Sequence, residues 1–180
     1  MIIPVSFERL SQYYPRRPNL TPELKKFMDG TPGTPCCVQI SHSLNMAGEK
    51  ITPTYVGQRR NNSLIKINGL DYYYLLAVDE MEKWLTLKYG DGETVSLDDT
   101  GQKRKPDEIK RYLQGRTGIL VMRDANVGFH TELWGRQDPV DGTTFLQNDM
   151  NVNACLAQPR VLFWDCGPPQ WLQDYMSGQG

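Results

Sequence analysis

The side chains best suited to chemistry in this sequence are its thiols and imidazoles. The chain of 180 residues has four cysteines and two histidines, which are Cys36, Cys37, Cys155, Cys166, His42 and His130. Cys36 directly follows a loop rich in glycine and proline and begins a segment of helical periodicity, so it is placed at a helix N-terminus. There the helix dipole and the unpaired backbone N–H groups favour the thiolate and lower the thiol pKa. The same N–H groups can stabilise an oxyanion.

His130 is the candidate base for this thiol. It lies in a segment whose alternation predicts a strand, and an imidazole on a facing strand can accept the thiol proton and later protonate a leaving amine. His42 is the rival, but it lies six residues beyond Cys36 on the same predicted helix, more than one turn away. The alternative interpretation is an inert buried thiol and a hydrogen-bonded strand histidine.

Other classes of function lack their signatures. The sequence has no pair of cysteines or histidines at chelating spacing, which zinc sites require. Phosphate-binding glycine loops and the G-x-S-x-G motif are absent. Because 20 Lys+Arg and 21 Asp+Glu give a net charge of −1, we expect no nucleic-acid partner. We also expect no cofactor, no membrane insertion and, from the start Met1–Arg9, no cleavable signal peptide.

Placing a thiol at a helix start against an imidazole on a strand requires helices packed on a sheet. Apolar periodicity predicts helices first, over Phe7–Tyr14, Thr21–Met28, Cys36–Ala47, Val78–Leu87 and Asp107–Leu113. Alternation and apolar runs then predict strands, over Gly118–Arg123, Phe129–Trp134 and Val161–Trp164. This order, with 39% hydrophobic residues, predicts one α+β domain over residues 1–180.

Three segments resemble motifs of a known family. Cys36–Gly48, with the sequence CCVQISHSLNMAG, is similar to the nucleophile helix C-A-x-R-(L/M)-S-x-x-L-N-x-x-G of the type VI secretion amidase effectors, fourth family. Gly128–Trp134 is similar to the family strand G-H-x-(D/T)-L-W with one residue inserted. Gly115–Leu120 resembles the G-K-x-G-I-I entry to the preceding strand. The three matches occur in the family's order and leave residues 50–110 only loosely covered.

The resemblance implies a papain-like NlpC/P60 fold, with N-terminal helices packed on a small antiparallel sheet. It implies an antibacterial cysteine amidase that cleaves peptidoglycan stem peptides between D-glutamate and meso-diaminopimelate. It further implies a cognate immunity protein and type VI secretion components as partners, with synthesis in the bacterial cytoplasm and delivery to the periplasm of a target cell. The alternatives are a non-catalytic binding domain, or a transferase or deamidase, on the same scaffold.

The resemblance also assigns the site residues. Cys36 is the nucleophile, because the position after it is alanine in the family, and His130 is the general base. The third member of the triad follows the histidine by eleven residues, at Asp141. Asp138 is a nearby alternative, and Glu132, on the same strand face as His130, is a further one.

The sequence departs from the family pattern at two positions. Gln39 replaces the arginine of the nucleophile helix, so any contact made by that arginine is in question. Phe129 separates Gly128 from His130, whereas the family has glycine directly before the histidine.

Several other residues have two interpretations. Cys155 and Cys166 either form a disulfide, as an oxidising periplasm would allow, or remain reduced thiols. Three arginines either pair with the carboxylates of a stem peptide or are solvated surface charges, namely Arg123, Arg136 and Arg160. Trp84 and Trp134 either line a groove or, more simply, pack in the core.

Overall fold

The computed structural model describes residues 2–16, 20–30, 35–52, 64–135 and 151–167. Its elements follow in chain order as β1 (Ile3–Ser6), α1 (Phe7–Gln12), α2 (Pro22–Gly30), α3 (Pro35–Ala47), β2 (Leu64–Ile67), β3 (Leu70–Tyr73), α4 (Val78–Tyr89), β4 (Glu93–Thr94), α5 (Pro106–Tyr112), β5 (Gly118–Arg123), β6 (Gly128–Trp134), α6 (Val152–Leu156) and β7 (Arg160–Gly167). The mixed α+β prediction is therefore confirmed.

A five-stranded sheet forms the centre of the fold. Its strand order is β1-β7-β5-β6, and the short β4 also pairs with β7. β5 pairs with both β6 and β7 in antiparallel register, with Met122 opposite His130 on one side and Val161 on the other. β1 adds to β7 in parallel, which the expectation of an antiparallel sheet did not include. The four residues of β1 contain Pro4 and are too few to show a strand periodicity.

Both faces of the sheet are covered, which explains why β5 reads as an uninterrupted apolar run. On one face the odd-numbered residues of β5 pack with α1, α3 and α4. The other face carries Leu120 and Met122, which pack with α5 and α6. A separate small cluster joins α2 to the β2–β3 hairpin.

The helix that carries Cys36 lies inside the molecule. Nearly every residue of α3 from Cys36 to Asn45 is buried, not only the single apolar stripe that the sequence suggested. Gly48 ends the helix with a φ of +105°, a conformation that favours glycine. Since α3 packs on α1 and β6, its N-terminus is held against the edge of the sheet.

The motif residues of the segment Gly115–Leu120 have structural roles and not chemical ones. Gly115 adopts a φ of +78° after α5, and Arg116 forms ion pairs with Glu93 and Asp165 at 2.6 and 2.7 Å. A Cβ atom on Gly118 would lie 2.1 Å from the carbonyl oxygen of Trp164. The glycine therefore allows β5 and β7 to approach.

We predict that Gly118→Ala destabilises the protein by about 3 kcal/mol, because backbone atoms of a central strand must move to admit the methyl group. Urea unfolding monitored by tryptophan fluorescence measures the loss. Gly101→Ala is not a suitable control, since Gly101 has a φ of +80°. Gly30→Ala is the matched control, because a Cβ atom there meets nothing within 4 Å. Equal stability of the two variants would contradict the prediction.

The structure separates the two late cysteines. Cys155 on α6 packs in the cluster on one face of the sheet, and Cys166 on β7 packs in the cluster on the opposite face. Both are buried free thiols. Of the two interpretations of this pair, the reduced one therefore agrees with the structure.

Candidate active site

Cys36 and His130 come together where the start of α3 meets strand β6. Pro35 occupies the first position of α3, where a missing N–H costs no hydrogen bond, and Cys36 follows it. The Cys36 thiol interacts with the imidazole of His130 and with the backbone N–H of Thr131. Both residues are buried, with exposed fractions of 5% and 4%. The thiol and imidazole proposed from sequence are therefore partners in the fold.

The electrostatics of this pair favour the thiolate–imidazolium form. A hydrogen bond from the Cys37 thiol lowers the pKa of Cys36, and the hydrogen bond and positive charge of His130 lower it further, which outweighs the opposing effect of burial. Burial alone would lower the pKa of His130, but Cys36 and Glu132 raise it to about 9. A thiol with a lowered pKa beside an imidazole with a raised one is ready for nucleophilic attack.

Glu132 is the carboxylate in contact with the imidazole. Its Oε2 atom lies 3.3 Å from Nε2 of His130, and its Oε1 atom accepts a hydrogen bond from the backbone N–H of Leu133 at 3.0 Å. Glu132 is completely buried, and this burial raises its pKa to about 7 against the lowering effect of His130. Because Nε2 faces Glu132, Nδ1 is the ring nitrogen left for Cys36.

Tyr14, which the sequence did not single out, completes the buried cluster. Its hydroxyl lies beside Glu132 and interacts with the carboxylate, outside the geometry of a regular hydrogen bond to any group in the described ranges. Burial, followed by the negative charge of Glu132, raises the pKa of the Tyr14 phenol well above its usual value. No spacing rule links a residue after α1 to a strand more than a hundred residues later, so this proximity could not be predicted from sequence.

The inserted residue of the histidine strand is accommodated as a β-bulge. Met122 pairs with His130, whereas the next residue, Arg123, pairs with Gly128. Phe129 is the extra residue, and its side chain is partly exposed. A bulge takes up one residue without changing the register beyond it. His130 therefore keeps the strand face that it shares with Glu132, despite the departure from the family pattern.

The other polar residues of the nucleophile helix anchor it. The Ser41 hydroxyl accepts from the backbone N–H of Leu75 at 3.0 Å. Asn45 donates to the carbonyl of Tyr73 at 2.7 Å and accepts from the N–H of Ile51 at 2.9 Å. Buried polar side chains are costly without such partners, so these motif positions fix α3 in place.

Gln39, which stands at the family's arginine position, also has a structural contact. Its Nε2 atom donates to the carbonyl oxygen of Pro15 at 2.9 Å. The glutamine thereby ties α3 to the segment that carries Tyr14. A neutral amide satisfies this buried site without the charge that an arginine would bring.

His42 lies away from the thiol, as its helical spacing predicted. Its Nδ1 atom is 2.9 Å from the hydroxyl of Tyr74, and burial lowers its pKa to about 4. His42 is therefore neutral at physiological pH and serves the packing between α3 and Tyr74.

The remaining candidates divide into those the structure describes and those it does not. Asp141, Asp138 and Arg136 lie outside the described residues. Arg123 forms ion pairs with Asp79 and Glu82, and Glu82 also pairs with Arg160, so both arginines already have carboxylate partners. Trp84 and Trp134 are buried core residues.

The described ranges contain neither a metal-binding cluster nor a helix that could span a membrane. No group of three or more histidine, cysteine, aspartate or glutamate side chains there is arranged to hold a metal ion. Among the helices of that same part of the chain, none combines the length and apolarity needed to cross a bilayer.

Known proteins share the fold and the sequence pattern of this chain. No curated protein matches the sequence. The crystal structure of the effector Tae4 from Salmonella typhimurium, in complex with the immunity protein Tai4 from Enterobacter cloacae, shares the fold with a TM-score of 0.50 at 19% sequence identity, covering 91% of this chain and 99% of that one. The family model of the type VI secretion system amidase effector protein 4 matches residues 34–164. Since this match spans most of the chain and includes both Cys36 and His130, the protein belongs to the Tae4 family of type VI secretion amidase effectors.

Proposed function

We propose that this amidase effector hydrolyses the amide bond between D-glutamate and meso-diaminopimelate in peptidoglycan stem peptides. The observation that carries the proposal is the buried Cys36–His130 pair, with its lowered thiol pKa and raised imidazole pKa. Family membership supplies the amidase class, and the motif resemblance supplies the bond.

The chemistry follows that of cysteine amidases. The Cys36 thiolate attacks the amide carbonyl, and the backbone N–H groups at the start of α3 stabilise the resulting oxyanion. His130 donates its proton to the leaving amine of diaminopimelate as the C–N bond breaks, which leaves a thioester on Cys36. Neutral His130 then takes a proton from water, and the hydroxide releases D-glutamate as a free carboxylic acid and restores the thiolate.

A third residue orients the imidazole in this mechanism. Asp141 is the proposed third member by its spacing from His130, with Asp138 as the alternative. An acid at this position holds the productive tautomer and stabilises the imidazolium.

The biological setting follows from the family. We propose that the effector is loaded on a type VI secretion machine, delivered to the periplasm of a target cell, and inhibited by a cognate immunity protein. The Salmonella typhimurium effector with the same fold was crystallised with the immunity protein Tai4 from Enterobacter cloacae.

Digestion of purified diaminopimelate-type muropeptides tests the bond. The wild-type protein is expected to split each stem after D-glutamate, and mass spectrometry of the two fragments identifies the bond. Lysine-type stems, which lack the second carboxylate of diaminopimelate, serve as the substrate control. Intact substrate with the folded, reduced wild type would overturn the amidase proposal in favour of a binding domain. A product of unchanged backbone length would indicate transfer or deamidation.

A further inference from the structure

The buried carboxylate of Glu132 suggests how His130 is held. We propose that Glu132 is a positioning residue for His130. This inference rests on the proposed function, since it assigns a further residue to the same site. It differs from the motif-based triad, in which the third member lies after β6.

Each carboxylate oxygen of Glu132 has a partner. Oε2 faces Nε2 of His130 at 3.3 Å, and Oε1 is fixed by the backbone N–H of Leu133 at 3.0 Å. Residues two apart on a strand share a face, so the contact is determined by β6 itself and not by a loop. With Nε2 engaged in this way, Nδ1 is the ring nitrogen that remains for the Cys36 thiol.

The burial of this carboxylate needs a compensating interaction. A completely buried carboxylate is unfavourable unless charge and hydrogen bonds compensate for lost hydration. An imidazolium at His130 provides the opposite charge, so that Glu132 and His130 stabilise each other's charged forms. Removing the carboxylate is therefore expected to lower the pKa of His130.

Tyr14 also lies beside this carboxylate, although its hydroxyl makes no regular hydrogen bond within the described ranges. Its interaction with Glu132 favours the charged form of the carboxylate. The segment that carries Tyr14 is held by the hydrogen bond from Gln39 to the carbonyl of Pro15. Gln39 belongs to the same helix as Cys36, so helix, strand and Tyr14 segment form one connected unit.

The charged and titratable groups that act on this cluster come from three elements and from the segment after α1. Cys36 acts from α3, His130 from β6 and Cys155 from α6, while Arg16, beyond α1, acts on Tyr14. Burial raises the pKa of Cys155 to about 11, so this thiol is neutral in the working range. The charges that matter are therefore those of Cys36, His130, Glu132 and Arg16.

The test measures the titration of His130 directly by proton NMR. The chain has two histidines, and the pKa values of about 4 for His42 and about 9 for His130 separate their signals. Glu132→Gln keeps the size of the side chain and removes its charge. We expect the His130 pKa to fall to about 8 or lower in this variant. The basic limb of kcat/KM should move down in pH with it, and kcat should fall more than tenfold with little change in KM.

Glu82→Gln is the matched control. It makes the same substitution at a carboxylate that pairs with Arg123 and Arg160, whereas the groups that raise the pKa of His130 are Cys36 and Glu132, so the His130 titration should stay unchanged. Glu132→Asp is the second variant, and it decides the question if Glu132→Gln does not fold. It keeps the charge but moves the carboxylate away from Nε2, so the His130 pKa is expected to fall by a smaller amount than in Glu132→Gln.

The outcomes separate this inference from the proposed function. An unchanged His130 titration in Glu132→Gln, or equal shifts in Glu132→Gln and Glu82→Gln, would overturn the positioning role whatever the activity. A wild type that cleaves no muropeptide, with a His130 titration that still responds to Glu132→Gln, would overturn the proposed function and support the inference. A larger loss of activity in Asp141→Asn with no shift in Glu132→Gln would assign positioning to Asp141 alone.

Discussion

Cys36→Ala is expected to lower kcat/KM for muropeptide cleavage by about 10⁴-fold or more, whereas Cys37→Ala should retain at least a tenth of wild-type activity. The nucleophile cannot be replaced by a methyl group, since no thioester can form. Cys37 provides a hydrogen bond that lowers the pKa of Cys36. Its loss therefore raises the thiol pKa, but the nucleophile and His130 both remain.

The two cysteine variants form a close pair of controls. Both residues are buried in α3, and both substitutions remove the same atoms, so their effects on stability are similar. Initial rates of fragment formation, measured by liquid chromatography and mass spectrometry, give kcat/KM for each. Equal losses in the two variants, or substantial activity in Cys36→Ala, would show that Cys36 is not the nucleophile.

The helix start and the histidine strand were predictable because their signals are local. Cys36 follows a loop and precedes an apolar periodic run, and Gly48 marks the end of that run. β5 and β6 have continuous apolar or alternating patterns over six and seven residues. These patterns predict a thiol at the start of a helix and an imidazole on a strand. Cys36 and His130 could therefore be chosen from the sequence.

The elements that the sequence missed are short or depend on distant partners. β1 and β4 have four and two residues and exist because β7 offers a place to pair. The five residues of α6 are fewer than two helical turns, too short for a periodic pattern. Their conformation is set by tertiary contacts, which local propensity does not contain.

The site was only partly predictable for the same reason. The shared strand face of His130 and Glu132 follows from their spacing, but the 3.3 Å contact between them depends on the rotamers of both side chains. Tyr14 reaches the cluster through the packing of the segment after α1 on α3. The bulge at Phe129 preserves the position of His130. A motif comparison shows this bulge only as an inserted residue.

The nucleophile motif thus combines two kinds of residue. Ser41 and Asn45 bind the backbone of residues 51 and 73–75, so they hold α3 in place. Cys36 is the residue of this helix that we propose as the nucleophile. A helix that is buried on nearly all sides and anchored by polar side chains keeps its first turn in one place, as precise nucleophilic attack requires.

His130→Gln is expected to lower kcat/KM by about 10³-fold and to remove the basic limb of its pH profile. In the wild type the active form has Cys36 deprotonated and His130 protonated. Activity therefore rises with pH through the lowered pKa of Cys36 and falls as His130 loses its proton near pH 9. Glutamine keeps a hydrogen-bonding group but carries no transferable proton.

The same substitution is expected to raise the pKa of Cys36, because the hydrogen bond and charge of His130 that lower it are lost. Iodoacetamide labelling of Cys36 as a function of pH, followed by peptide mass spectrometry, reports the thiolate without any substrate. The labelling midpoint should move up in pH in His130→Gln and stay in place in His42→Gln, since His42 contacts Tyr74. A midpoint that is the same in wild type and His130→Gln would mean that the imidazole does not set the reactivity of the thiol. The lowered pKa would then come from the helix N-terminus, Cys37 and the backbone N–H of Thr131.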